Sequence, residues 1–166
     1  MLRAGSILLL GFCGIVCLAA SDTPLDRESL RDLDGVRVAV EDLPANALAN
    51  GLSKEKVREA VEGKLRAAGI RVSNPAEFPV GDPALRVHVT LSSEANGLVA
   101  YLVELDFAQV VFLRRNPAVT FNRAQTWAAA SQMGLVAPAR LAESVNRGLS
   151  QQVTQFIAAY FSVNPK

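Results

Sequence analysis

Apolar and polar residues change rhythm several times along this chain, and each change marks an element. From Gly35, Val36, Val38 and Val40 alternate with Arg37, Ala39 and Glu41, the period of two of a half-buried strand. Leu43 to Gly51, with Pro44, Asn46 and Asn50, reads as a loop. The rhythm then lengthens to three and four at Val57, Ala60, Val61, Leu65 and Ala68, with Ser53 as N-cap and Gly69 as stop, which predicts an amphipathic helix. Ile70 and Val72 suggest a short strand before a loop bearing Pro75, Pro79, Gly81 and Pro83.

Alternation returns at Leu85, Val87, Val89 and Leu91, against Arg86, His88, Thr90 and Ser92. After Ala95, Asn96 and Gly97 a long strand begins at Leu98 and runs to Leu113. A three-residue hairpin loop ending on Gly97 at positive φ sets the register. It places Glu94 opposite Leu98, Ser92 opposite Ala100, His88 opposite Glu104 and Arg86 opposite Asp106, while Val89 meets Val103 and Val87 meets Leu105. One face becomes apolar and the other pairs opposite charges, so turn and side-chain chemistry agree. Exposed pairs of this kind contribute about 0.2–1 kcal/mol. The inner face would carry Val99, Tyr101, Val103, Leu105, Phe107, Gln109, Val111 and Leu113. Glu104 and Asp106 inside the run argue against a membrane helix. A further extended run covers 119–131, with Phe121 and Trp127. Pro138 then opens a helix with the stripe Leu141, Val145, Leu149, Val153, Phe156, Ile157 and Tyr160, ended by Asn164 and Pro165.

The predicted fold is therefore α+β: a single, mainly antiparallel sheet with two helices packed on one face, in the order β-α-β-β-β-β-α. The domain spans 35–162, preceded by a polar tether over 22–34 and followed by a tail, 163–166. This order of elements resembles small α/β modules of bacterial envelope proteins: the N-terminal domain of the TolB family and the CsgG-like and LptE-like accessory domains. The resemblance covers Val36 to Phe161 and is one of architecture. No residue motif accompanies it, so no functional residue is carried over.

The first 21 residues have the layout of a secretory signal peptide: Arg3, then apolar or small residues from Ile7 to Ala20. The run is too short for a membrane span of roughly 20 residues. Cys13 and Cys17 lie within it, but Phe12 and Val16 precede them where a lipoprotein signal has Gly, Ala or Ser. The chain thus departs from the LptE-like and CsgG-like families, which carry a lipid-bearing cysteine. Cleavage after Ala19 or Ser21 and a periplasmic or secreted product are expected, with an uncleaved N-terminal anchor as the alternative.

Without that segment the 17 basic residues lose Arg3 and equal the 16 acidic ones, and no cysteine remains. Disulfides, thiolate catalysis and Cys-ligated zinc are excluded from the mature chain. Neutrality removes the electrostatic footprint of a nucleic-acid binder or of a protein drawn to anionic lipid. His88 is the only histidine, and there is neither a Gly-x-Ser-x-Gly elbow nor a phosphate-cradling glycine motif. No catalytic residue, metal site or cofactor is expected.

Function is expected on the sheet face that the helices leave uncovered. Arg86, His88, Glu104, Asp106, Arg123, Gln125 and Trp127 would share it, a polar face with an aromatic anchor. The leading expectation is an exported, noncatalytic binding or assembly module of the cell envelope, partnered by an envelope protein. A carrier of a small apolar ligand is the alternative, and a hydrolase using Glu104, Asp106 or His88 comes third.

Overall fold

The computed structural model describes residues 22–74 and 82–165. The expected signal peptide and most of the proline-rich loop before Pro83 lie outside the described residues. Eight helices and strands organise the rest: α1 (Pro24–Glu28), β1 (Arg37–Val40), α2 (Lys54–Ala68), β2 (Ala84–Leu91), β3 (Val99–Leu113), β4 (Asn116–Ala128), β5 (Gln132–Val136) and α3 (Pro138–Val163). A 3₁₀ turn, Leu48–Asn50, lies in the loop after β1.

The strands form one sheet in the order β1-β2-β3-β4, with β5 pairing further along β3. β1 and β2 are parallel and the other pairs antiparallel, so the architecture is the α+β sheet with two main helices expected from the sequence. Ile70 and Val72 make no full strand. Ile70 is buried and Val72 forms a single parallel bridge to Val36. The expected run over 119–131 starts earlier, at Asn116, and ends at Ala128, where the Ala129 N–H donates to the Leu105 carbonyl; β5 follows as a separate strand.

The hairpin between β2 and β3 has Arg86 opposite Asp106, Val87 opposite Leu105, His88 opposite Glu104 and Val89 opposite Val103. Its turn is tighter than expected. Ala95 and Leu98 exchange both backbone hydrogen bonds around Asn96 and Gly97, at φ +53° and +73°. This is the Asn-Gly turn whose twist matches that of the flanking strands. Ala95, not Glu94, therefore faces Leu98, and one extra residue before the turn restores the register of the main ladder.

The core lies between the sheet and the helices. From the sheet come Val87, Val103, Leu105, Phe107 and Trp127; from α2, Val57, Val61 and Leu65; and from α3, Leu141, Val145, Leu149, Val153 and Phe156. Capping follows the sequence signals: Ser53 accepts from the Lys56 N–H, and Gly69 adopts φ +87° at the end of α2. Phe156 sits between Phe107, 6.0 Å away, and Trp127, 5.3 Å away and edge-on. Aromatic pairs at such distances add about 0.5–1.5 kcal/mol beyond the area that they bury. Gln152 of α3 is a fully buried polar residue whose amide donates to the Val103 and Ala130 carbonyls, both at 2.9 Å. It ties α3 to β3 and to the break between β4 and β5.

Residues 22–34 are part of this packing, which corrects their reading as a spacer. Thr23 and Asp26 close a capping box on α1, and Leu30 is fully buried. The Trp127 indole donates to Asp22 at 2.7 Å, and Arg27 grips the same carboxylate with two hydrogen bonds. Burial pushes the Asp22 carboxyl up, but the hydrogen bonds from Arg27 and Trp127, with the Arg27 charge, outweigh it and hold its pKa below the ordinary value. Asn164, expected in a tail, donates to the Leu30 carbonyl and accepts from the Asp32 N–H. The two ends of the described chain are thus fastened together.

Beyond Ala108, β3 loses β2 as a neighbour, because the last pair of that ladder is Ala84 with Ala108. From there, among the described residues, β3 and β4 pair only with each other and project as a two-stranded ribbon. Residues 116–123 of β4 are all exposed.

Candidate functional site

Hairpin register brings four of the expected residues together. Arg86 and His88 come from β2, and Glu104 and Asp106 from β3. Small residues make room beside them, since Ala128 is opposite Asp106 and Ala129 follows. The result is a cavity of about 340 Å³ on the face away from the helices, lined by these four side chains with Gln125, Ser131 and the two alanines. Leu105 also borders it.

Asp106 is the centre of the site. It is only 6% exposed, and a carboxylate taken this far out of water needs compensating charge or hydrogen bonds. Arg86 Nε donates to one oxygen at 2.7 Å, and His88 Nε2 lies 3.0 Å from the other. A carboxylate oxygen only accepts, so His88 carries a proton on Nε2 and donates a hydrogen bond from it to Asp106. Burial takes the Arg86–Asp106 pair out of the exposed regime expected from the sequence. Glu104 is half-buried and held more loosely, by a 3.4 Å hydrogen bond from Ser131 Oγ.

Gln125 lines the cavity, but Trp127 does not. Trp127 is fully buried on the helix side, opposite Phe107, so its expected place on the open face is corrected. Strict alternation would keep residues 125 and 127 on one face. However, Phe107 pairs with Trp127 and the next residue, Ala108, pairs with Gln125, so β4 carries one extra residue there. That bulge reverses the alternation. A second irregularity lies between Gln109 and Val111, where Arg123 takes φ +58°. Arg123 is exposed on the projecting ribbon and is not among the cavity's lining residues.

Ser131 is the polar lining residue that sequence reasoning missed, alongside the apolar Leu105, Ala128 and Ala129. It precedes β5 and no pattern marks it; only the break between β4 and β5 brings its hydroxyl to Glu104. Chemically, the cavity offers one paired cation, one satisfied carboxylate, a looser carboxylate and an amide that can donate and accept. Among the described residues, no group of three His, Cys, Asp or Glu side chains is placed to hold a metal ion. No helix among them is long and apolar enough to cross a membrane.

No family model and no curated protein matches this chain. Among solved structures it is similar to a minor lipoprotein from Acinetobacter baumannii, at 12% identity and a TM-score of 0.45, over 81% of this chain and 95% of that one.

Proposed function

We propose that this protein is an exported, noncatalytic binding or assembly module of the bacterial cell envelope, and that it meets its partner through the open face of the sheet. The observation that carries the reading is the cavity around Asp106, where a buried, fully paired carboxylate stands on a face that no helix among the described residues covers. Fixed charges and an adaptable amide around a concave surface favour oriented recognition of a partner's polar groups. The signal-peptide layout of residues 1–21 supports export.

The pairing pattern favours binding over hydrolysis. His88 is engaged with Asp106, while the Ser131 hydroxyl is turned to Glu104, so the nearby serine is not joined to the imidazole that would have to activate it. The carrier reading finds less support. Small-molecule pockets are mostly apolar and usually hold about 300–1,000 Å³, whereas the apolar cleft between α2 and α3, lined by Val61, Leu149 and Val153, holds about 100 Å³. The hollow of about 710 Å³ beside Asn46, Ser92 and Glu94 is lined by as many polar as apolar residues.

A pull-down from envelope extract with the tagged protein tests the proposal, using Gln125→Trp to fill the cavity and Glu59→Trp on the wet face of α2 as control. A specific partner recovered by the wild type and the control, and lost with Gln125→Trp, is the expected result. Recovery of no specific partner, or equal recovery by all three proteins, would overturn it.

A further inference from the structure

The projecting end of the β3–β4 hairpin has a composition unlike the rest of the molecule. Val110, Phe112, Val119 and Phe121 are 37%, 66%, 38% and 49% exposed, on a ribbon that pairs with no other strand among the described residues. Phe112 lies opposite Thr120 on one face and Phe121 opposite Val111 on the other, so both faces present a phenylalanine. Arg114 and Arg115 form the exposed tip and Arg123 lies toward the base. None of these three arginines has an ion-pair partner among the described residues. Between Asp106 and Glu143 the chain has no acidic residue. The near balance of 17 basic and 16 acidic residues along the chain thus conceals a local segregation of charge.

An isolated two-stranded ribbon is marginal in water, and a monomer gains nothing by holding two phenylalanines in solvent at its end. The geometry points to peripheral docking of this tip on a phospholipid bilayer that carries anionic headgroups. Arg114 and Arg115 would meet headgroup phosphates, their long stems letting the guanidinium groups stay at that level while Phe112 and Phe121 enter the boundary of the acyl region. The free edges of the ribbon set the depth. Their unpaired backbone groups still need water, so the tip rests in the interface and does not span. Four residues of β3 beyond Gln109 extend roughly 13 Å, enough to reach that interface while the sheet remains outside. This docking uses neither the cavity nor its partner, so it is independent of the function proposed above.

The test is co-sedimentation of the protein, as isolated after export, with phosphatidylcholine vesicles and with vesicles containing phosphatidylglycerol. Binding is expected only to the anionic vesicles and should weaken with salt. Each arginine near such a surface contributes about a fivefold gain, so Arg114→Ser with Arg115→Ser should weaken binding about thirtyfold. Phe112→Ser with Phe121→Ser should abolish it, with the thermal midpoint unchanged because these side chains are outside the core. Gln125→Trp should bind vesicles like the wild type, which separates this outcome from failure of the open-face proposal. No vesicle binding, equal binding to both vesicle types, or binding that neither tip variant weakens would overturn the inference. The last result would be expected if a retained leader held the protein to lipid, and the first if the tip served a protein partner.

Discussion

Phe107 and Asp106 are neighbours on β3, yet they belong to different regimes. On the helix side, Phe107, Trp127 and Phe156 form a dry aromatic cluster that holds the sheet against α3. One residue away, on the open side, Asp106 is nearly as buried but is surrounded by Arg86 and His88. The first face needs only shape and apolar area, and the second needs each polar group matched. Burial therefore has two meanings along one strand: on the helix side it marks cohesion, and on the open side it marks a charge arrangement held in place at a surface.

The sharpest way to break this comparison is to remove the aromatic cluster. Phe156→Ala should destabilise the protein by about 3–5 kcal/mol in denaturant unfolding, through lost burial and the cavity left behind. Gln125→Ala on the open face should stay within about 0.5 kcal/mol. Similar costs at both positions would erase the division.

Asp106→Ala comes next. It leaves Arg86 and His88 without their shared acceptor, and a loss of roughly 1–3 kcal/mol is expected. A double-mutant cycle with Arg86→Ala should give a coupling above the roughly 0.2–1 kcal/mol of exposed pairs. Coupling within that lower range would place Asp106 in a wet, weakly structured surface.

Gly97→Val tests the hairpin that aligns the open face. A Cβ at Gly97 would meet nothing within 4 Å, so the cost arises from φ +73° alone and should be about 1–2 kcal/mol. An unchanged unfolding midpoint would show that the turn does not need the left-handed conformation.

A smaller effect is expected on the helix side at its polar margin. Asp22→Ala should cost about 0.5–1.5 kcal/mol by freeing the Trp127 indole and Arg27. Because the folded-state pKa of Asp22 is depressed, its contribution is present above the ordinary carboxylate value of 3.8 and is lost as pH falls through the lower folded value. Trp127 is the sole tryptophan, so its fluorescence should shift across that acidic window in the wild type and remain flat there in Asp22→Ala. Identical acid profiles for the two proteins would refute the contact.

How much of this was legible in the sequence depended on whether a local rule had a second rule to check it. The main β2–β3 register could be read because the apolar alternation and the opposite charges converge on one pairing; the turn itself was misread, and an extra residue before the Asn96-Gly97 turn restores that pairing. On β4 only alternation was available, and the extra residue between Gln125 and Trp127 inverted it. A bulge leaves little trace in residue type. The N-terminal segment was hidden for another reason: its polar composition masks Leu30, and the Asp22–Trp127 contact spans 105 positions. The ribbon was hidden by length, since Val110 and Phe112 continue the pattern of β3 and nothing local says where β2 stops. Ser131 and Gln152 depend on tertiary placement alone.

Site-specific photo-crosslinking within the envelope tests the role of the open face most directly. A photoreactive residue at position 125 should yield a defined adduct with a single partner, and one at position 59 on α2 should yield none. No adduct from position 125, or equal adducts from both positions, would contradict the assignment of recognition to the open face.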